Sequence, residues 1–293
     1  MAQHTHQTAP TQFVDAADIR FAYRRFGKSG GVPLVFNMHF TGTMDHWDPA
    51  VTDGMAATRE IILFNNAGIS STDGEVPTSV EEMAANAAAF IKALGLTRVD
   101  VLGFSLGGFV AQALAVAEPR LVRRLILVGT GPRGGEGMAT LTPEAMAVFS
   151  AKYLNPDELW LGVFFTPTEA SQAAGLRFLK RFRQRVLDRD PDVSEKVAPA
   201  QIDAISKWGA PRAGAFDYLR EIFQPTLVIN GNNDVIIYTV NSLLLQQNLP
   251  DAQLILYPDS SHGSQYQYPA LFVGDVTRFL DAQVPFPTET DHG

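Results

Sequence analysis

The chain has 293 residues, 46% of them hydrophobic, a formal net charge of −8 and no cysteine. That length holds one large domain or two small ones, with enough apolar residues for a sizeable core. The negative balance argues against nucleic acid and anionic membrane surfaces as partners. The missing cysteine excludes disulfides, thiolate zinc sites and a cysteine nucleophile. Residues 1–12 are polar, lack the apolar stretch of a secretory signal and read as a flexible tail in which His4 and His6 lie loose. No apolar run reaches the eighteen or so residues that cross a bilayer, so a soluble, cytoplasmic protein is expected.

Residues 13–15 and 20–26 read as two short strands of a hairpin. Residues 33–38 form a buried strand that ends in a polar loop, and residues 60–64 form the next. Ser79 and Glu82 are spaced as a capping box and open an Ala-rich helix that Gly95 ends. Strand character returns at residues 99–102 and 125–129. Buried apolar runs separated by helices of this length indicate a mostly parallel sheet covered on both faces.

From about Gly131 to Glu221 strand signals stop and helix starts take over. Pro143 and Pro167 are each placed at a first helical position, after Thr142 and Thr166. Leu179, Phe182 and Val186 share one stripe of a later helix, and Lys180, Arg181, Arg183 and Arg185 read as its solvated face. The strand pattern resumes at residues 225–230 and 253–257, and a helix over 269–280 closes the fold. The expected organisation is an α/β core, residues 13–131 and 222–283, of about eight strands. A helical lid, 132–221, enters after the sixth strand, and a polar tail covers 284–293.

The most informative stretch is Gly103-Phe104-Ser105-Leu106-Gly107. A buried strand runs straight into it and an Ala-rich helix follows with no spacer, the context of a nucleophile elbow. The same glycines would suit a phosphate-cradling loop, but neither G-x-G-x-x-G nor a G-K-[ST] ending is present. A serine hydroxyl needs a base, and the base needs an orienting carboxylate. Of six histidines, His4, His6 and His292 lie near the termini, and His46 falls where a helix begins. His262 follows a strand, on the rim where loops line the crevice of an open α/β sheet. Asp234 ends the preceding strand and keeps the chain order serine, acid, histidine. Asp259, three residues before His262, is the rival acid and better placed to cap its turn. One oxyanion donor is the Leu106 N–H; the second belongs to the loop after Met38.

These residues resemble an α/β-hydrolase of the esterase, lactonase and cofactor-free haloperoxidase type, over nearly the whole chain. The resemblance rests on the Ser105 elbow, Gly231-Asn232-Asn233-Asp234, Ser261-His262-Gly263 and the helical segment between. It implies that Phe40 matches the residue completing the oxyanion hole and that His39 occupies a place usually held by glycine, where it could face the pocket. The family's Asp-x-Arg-Gly after the fourth strand is altered here to Asn65-Asn66-Ala67-Gly68. The implied chemistry is acyl transfer through Ser105, His262 and Asp234, with no metal and no organic cofactor. The implied substrate is a small-molecule ester or lactone. A bulky one, such as an acyl-homoserine lactone or a macrolactone, fits the large apolar residues of the insertion. Phe104, Phe149, Tyr153, Trp160 and Phe164 are the expected pocket side chains. A perhydrolase or haloperoxidase with the same triad, a carbon–carbon bond hydrolase, and a ligand receptor with an idle triad are the competing readings.

Overall fold

A computed structural model describes residues 4–282. β1 (Gln12–Ala16) and β2 (Ile19–Gly27) form an antiparallel hairpin whose two turn residues, Ala17 and Asp18, both hold positive φ. Such a turn matches the right-handed twist of the strands it joins. The chain continues through β3 (Leu34–Asn37), α1 (Pro49–Ala56), β4 (Glu60–Phe64), α2 (Val80–Ala93), β5 (Val99–Phe104), α3 (Leu106–Ala117) and β6 (Val122–Val128). Four helices follow before the sheet resumes: α4 (Pro143–Ser150), α5 (Pro156–Phe164), α6 (Glu169–Phe182) and α7 (Val197–Gly209). β7 (Thr226–Gly231), α8 (Val240–Asn248), β8 (Ala252–Tyr257), the short α9 (Ser264–Gln267) and α10 (Pro269–Asp281) complete the fold. The eight strands stand in the order β1-β2-β4-β3-β5-β6-β7-β8, antiparallel at β1 and β2 and parallel from β4 onward. The expected α/β sheet with helices on both faces is therefore the one observed.

Strand alternation divides the core into two layers. Val99, Val101, Leu125, Leu127 and Val228 face a cluster that includes α2, α3 and Trp208 of α7. Leu102, Phe104, Ile126, Val128 and Ile229 face the other side, with Trp47, Phe178 of α6, and Phe272 and Phe279 of α10. β5 is buried along its whole length, which is why it reads as a continuous apolar run.

Three expectations need correction. Residues 4–11 are not loose. His6 and Ala9 are buried, and the Arg185 guanidinium donates to the carbonyls of both, at 2.7 and 2.9 Å. The basic residues of the insertion do not make one solvated face. Arg181 forms a two-pronged pair with buried Asp48, at 2.8 and 2.6 Å, and Arg185 is buried whereas Val186 is exposed. Finally, α6 starts at Glu169 with Thr168 as its N-cap, so Pro167 precedes the helix. Thr142 caps α4 with Pro143 at the first turn, as its spacing suggests. The polar stretch 284–293 lies outside the described residues.

Candidate active site

The turn between β5 and α3 is as tight as its sequence suggests. A Cβ on Gly103 would lie 2.2 Å from the Gly107 carbonyl oxygen, and one on Gly107 would lie 2.1 Å from that of Asn37. Backbone cannot retreat from such contacts, so only glycine fits either place. Between them Ser105 is held at φ 56°, ψ −120°, a strained conformation for a residue with a side chain. The strain is sustained by three hydrogen bonds. Ser105 N–H donates to the Val128 carbonyl at 2.9 Å, and its own carbonyl accepts from Gly108 N–H and the Thr130 hydroxyl, both at 2.8 Å.

Asp234 and His262 lie beyond the carboxyl ends of β7 and β8. Asp234 Oδ1 accepts the N–H groups of Ile236 and Ile237, at 2.9 and 3.0 Å, which fixes the carboxylate. Its Oδ2 stands 2.8 Å from His262 Nδ1, so the carboxylate accepts the Nδ1 proton and leaves Nε2 as the basic nitrogen. Both side chains are almost fully buried, where such a bond is stronger than in water. The imidazole and the elbow meet around Gly129. A Cβ there would lie 3.3 Å from His262 Nδ1 and 3.1 Å from the Phe104 ring. The ring centroids of Phe104 and His262 are 5.1 Å apart.

Asp259 has a different task. Its Oδ1 accepts the Thr166 hydroxyl at 2.7 Å and its Oδ2 the Thr168 hydroxyl at 2.6 Å. The Thr168 and Thr166 hydroxyls hold the carboxyl below its ordinary pKa. The loop that carries His262 is thereby tied to the start of α6. A second tie runs from Gly263 N–H to the Phe164 carbonyl at 3.0 Å. Sequence reading missed this fastening; the Thr166-Pro167-Thr168 run was its signal in the sequence.

The loop after β3 closes with Gly42 N–H on the His39 carbonyl at 3.1 Å, and Thr41 is in the left-handed region at φ 55°. Because the peptide is trans, the Phe40 N–H points opposite to that carbonyl, away from Gly42. Leu106 is the first residue of α3, so its N–H has no partner within the helix. His39 folds over Gly42, where a Cβ would meet its ring at 2.9 Å. Its Nδ1 is 2.8 Å from the Phe40 carbonyl. A carbonyl can only accept, so Nδ1 carries the proton. Burial, opposed by this hydrogen bond and assisted by the nearby His262, lowers the His39 pKa to about 4, and the ring is neutral.

Four rings surround His39: Phe104, Phe164, Trp160 and His46, with centroids 5.4 to 5.9 Å away. Phe164 also lies parallel to the His262 ring at 6.1 Å. Of the expected pocket residues, Phe104 and Phe164 therefore lie beside His262, and Trp160 and His39 pack on them. Phe149 and Tyr153 are not. Phe149 is 43% exposed on α4, and the Tyr153 hydroxyl is engaged by the Val148 carbonyl at 2.6 Å. His46, read from sequence only as part of a helix start, in fact stacks on both Trp160 and Phe182, which also touch each other. A cavity of about 30 Å³, room for one water, borders the elbow and the β3 loop: His39, Leu106, Gly107, Asn37 and Gln201 line it, but Ser105, Asp234 and His262 do not. Among the described residues no group of three or more His, Asp and Glu side chains is arranged to hold a metal ion. No helix among them is long and apolar enough to cross a membrane.

Comparison with known proteins agrees with the fold. An alpha/beta hydrolase fold protein from Chitinophaga pinensis superimposes with a TM-score of 0.90 at 41% identity, over 96% of this chain and all of that one. Est816, described as an N-acyl homoserine lactone degrading enzyme, superimposes with a TM-score of 0.70 at 26% identity, over 92% of this chain and all of its own. A Pseudomonas putida protein named 2-hydroxy-6-oxononadienedioate/2-hydroxy-6-oxononatrienedioate hydrolase 2 is 28% identical over 230 residues, 77% of this chain and 78% of its own length. The alpha/beta hydrolase fold family model matches residues 32–269. The chain belongs to the α/β-hydrolase fold family, and its relatives include named hydrolases and a putative non-heme bromoperoxidase.

Proposed function

We propose that the protein is a serine hydrolase that cleaves a carboxylic ester or lactone. The observation that carries this reading is the buried His262 Nδ1–Asp234 Oδ2 bond, set beside a serine held at φ 56° on a Gly-x-Ser-x-Gly turn. Ser105 is the nucleophile. His262 Nε2 takes its proton as Oγ attacks the carbonyl carbon, while Asp234 keeps the tautomer and stabilises the imidazolium. The N–H groups of Leu106 and Phe40 receive the oxyanion. His262 returns its proton to the leaving alkoxide, then takes one from the water that attacks the acyl-enzyme, and Ser105 Oγ leaves with that proton as the acid is released. No metal or organic cofactor takes part in this scheme.

An uncharged, apolar acyl group is favoured because Phe104 and Phe164 stand beside His262, with Trp160 packed on Phe164. The description of Est816 supports a lactone. Helices α4 to α7 act as a cap, with α5 placing Trp160 and Phe164 over the site. Labelling by a fluorophosphonate probe tests the reading. The protein is expected to label, and Ser105→Ala and His262→Ala to lose labelling while remaining folded by circular dichroism. A folded wild type that stays unlabelled would overturn it.

A further inference from the structure

Asn37 and His39 each carry a buried side-chain nitrogen, Nδ2 and Nε2, that has no hydrogen-bond partner among the described residues. Both residues line the cavity of about 30 Å³ that borders the elbow. The two nitrogens are opposite in kind. An amide Nδ2 only donates. Nε2 only accepts, because the His39 proton is on Nδ1 and committed to the Phe40 carbonyl at 2.8 Å. The ring borders the cavity along its Cε1 edge: a Cβ on Gly42, another lining residue, would lie 2.9 Å from Cε1, the atom to which Nε2 is bonded. Leaving a buried donor and a buried acceptor empty side by side is costly. Charge and size select what completes them. An anion would meet the His39 lone pair. A cation would meet the Asn37 amide hydrogens and the positive end of α3, whose first residues, Leu106 and Gly107, form another wall. What fits is neutral, accepts on one side, donates on the other and is no larger than a water.

We propose that one water, accepting from Asn37 Nδ2 and donating to His39 Nε2, occupies this cavity and braces the oxyanion loop, which makes Asn37 a positioning residue for hydrolysis. The inference rests on the acyl-transfer reading above, with Phe40 and Leu106 as the oxyanion donors. The other bonds that shape the loop are internal to it or turned toward the cap. Gly42 N–H donates to the His39 carbonyl at 3.1 Å, and the Phe40 carbonyl accepts both His39 Nδ1 and the Thr41 hydroxyl at 2.8 Å. Thr41 N–H donates to Gln201 Oε1 of α7 at 2.6 Å. None of these bonds reaches β3 or α3. The water does. It ties the His39 ring to Asn37 at the end of β3, whose backbone lies against α3: a Cβ on Gly107 would be 2.1 Å from the Asn37 carbonyl oxygen. The ring in turn holds the Phe40 carbonyl. The Phe40 N–H is thereby set relative to the Leu106 N–H at the start of α3, and oxyanion donors act by being in place before charge develops.

A crystal structure of the wild type tests the water itself. One ordered water within about 3.2 Å of both nitrogens is expected; density that shows none, or a water reaching only one of them, would overturn the proposal. Kinetics on phenyl butanoate test the brace. Asn37→Leu removes the donor, and Val110→Ile adds a methyl group at the cavity wall while keeping Asn37. Each is expected to lower kcat about tenfold with KM within about twofold, and to weaken by a like factor a trifluoromethyl ketone that forms a hemiketal with Ser105. Asn37→Ser, which keeps a donor and leaves room for a second water, should recover part of the loss. A water that only fills space would change the melting temperature of these variants and leave kcat and ketone affinity as they were, and that result would overturn the brace. A loss confined to Asn37→Leu would place the effect in the side chain rather than the water and overturn it as well. If the wild type hydrolyses no ester and takes no fluorophosphonate label, the acyl-transfer reading fails and the brace falls with it, while the crystal density still decides the water.

Discussion

Asp234→Asn is expected to lower kcat on an aryl ester by about 10⁴-fold with little loss of thermal stability. The asparagine would keep a carbonyl oxygen for the Ile236 and Ile237 N–H groups that Oδ1 accepts, so its loop stays in place. Its amide, however, would present N–H where His262 Nδ1 now finds a carboxylate oxygen. Two donors cannot pair, and the imidazole is driven to the tautomer with its proton on Nε2, the nitrogen that must receive the serine proton. Loss of the negative charge also leaves the imidazolium unsupported. Asp259→Asn supplies the contrast. It touches Thr166 and Thr168 rather than His262, so a loss below about tenfold is expected, carried by a less well positioned loop. Steady-state kinetics on the two variants, with melting temperatures, separate the roles. A greater loss in Asp259→Asn than in Asp234→Asn would reassign the acid.

The buried imidazoles should lower the unfolding free energy by about 6 kcal/mol between pH 7.5 and pH 5, less what buried carboxylates return. Burial first, then the Arg24 and Arg185 charges, lowers the His6 pKa to about 3. Burial likewise lowers that of His39 to about 4. In the unfolded chain both titrate near 6.5. Below that value the unfolded state binds protons that the folded state refuses, so stability is complete above pH 6.5 and drains as pH falls toward the folded values. At pH 5 each residue accounts for about 2 kcal/mol. His46, which burial lowers to about 3, accounts for about 2 kcal/mol more. Asp53, Asp100 and Asp190, raised chiefly by burial, oppose it because they take up protons more readily when folded. Urea midpoints measured across this range check the balance, and His6→Gln should flatten the slope. A midpoint unchanged from pH 7.5 to 5 would contradict the burial of these imidazoles as neutral rings.

The strands and the elbow were legible because their signals are local. A parallel strand buried on both faces must be apolar throughout, as β5 is, and a Gly-x-Ser-x-Gly turn between strand and helix leaves few alternatives. The partnership of Asp234 with His262 could be inferred because both end strands whose carboxyl ends face one crevice. What stayed hidden depends on pairs distant in sequence. Nothing near Arg185 announces that its guanidinium will meet the His6 and Ala9 carbonyls more than 170 positions away. Nothing near Asp48 announces Arg181. Phe149 and Trp160 look alike as large apolar residues of the insertion. Only the docking of α5 against the rings of Phe104 and Phe182 puts Trp160 beside the site and leaves Phe149 outside.

The ties from Asp259 to Thr166 and Thr168, and from Gly263 to Phe164, have a consequence for how such a protein diversifies. His262, the proposed base, rides on a loop that is stitched to the helical segment rather than to the sheet alone. Exchange of that segment between relatives therefore moves the base unless Asp259 and its two threonine partners are exchanged with it. The heritable module is thus discontinuous in sequence, a stretch from α4 to α7 together with the loop 258–263, whose Asp259 lies 93 and 91 positions after its threonine partners, and recombination at the sheet boundaries alone would split it.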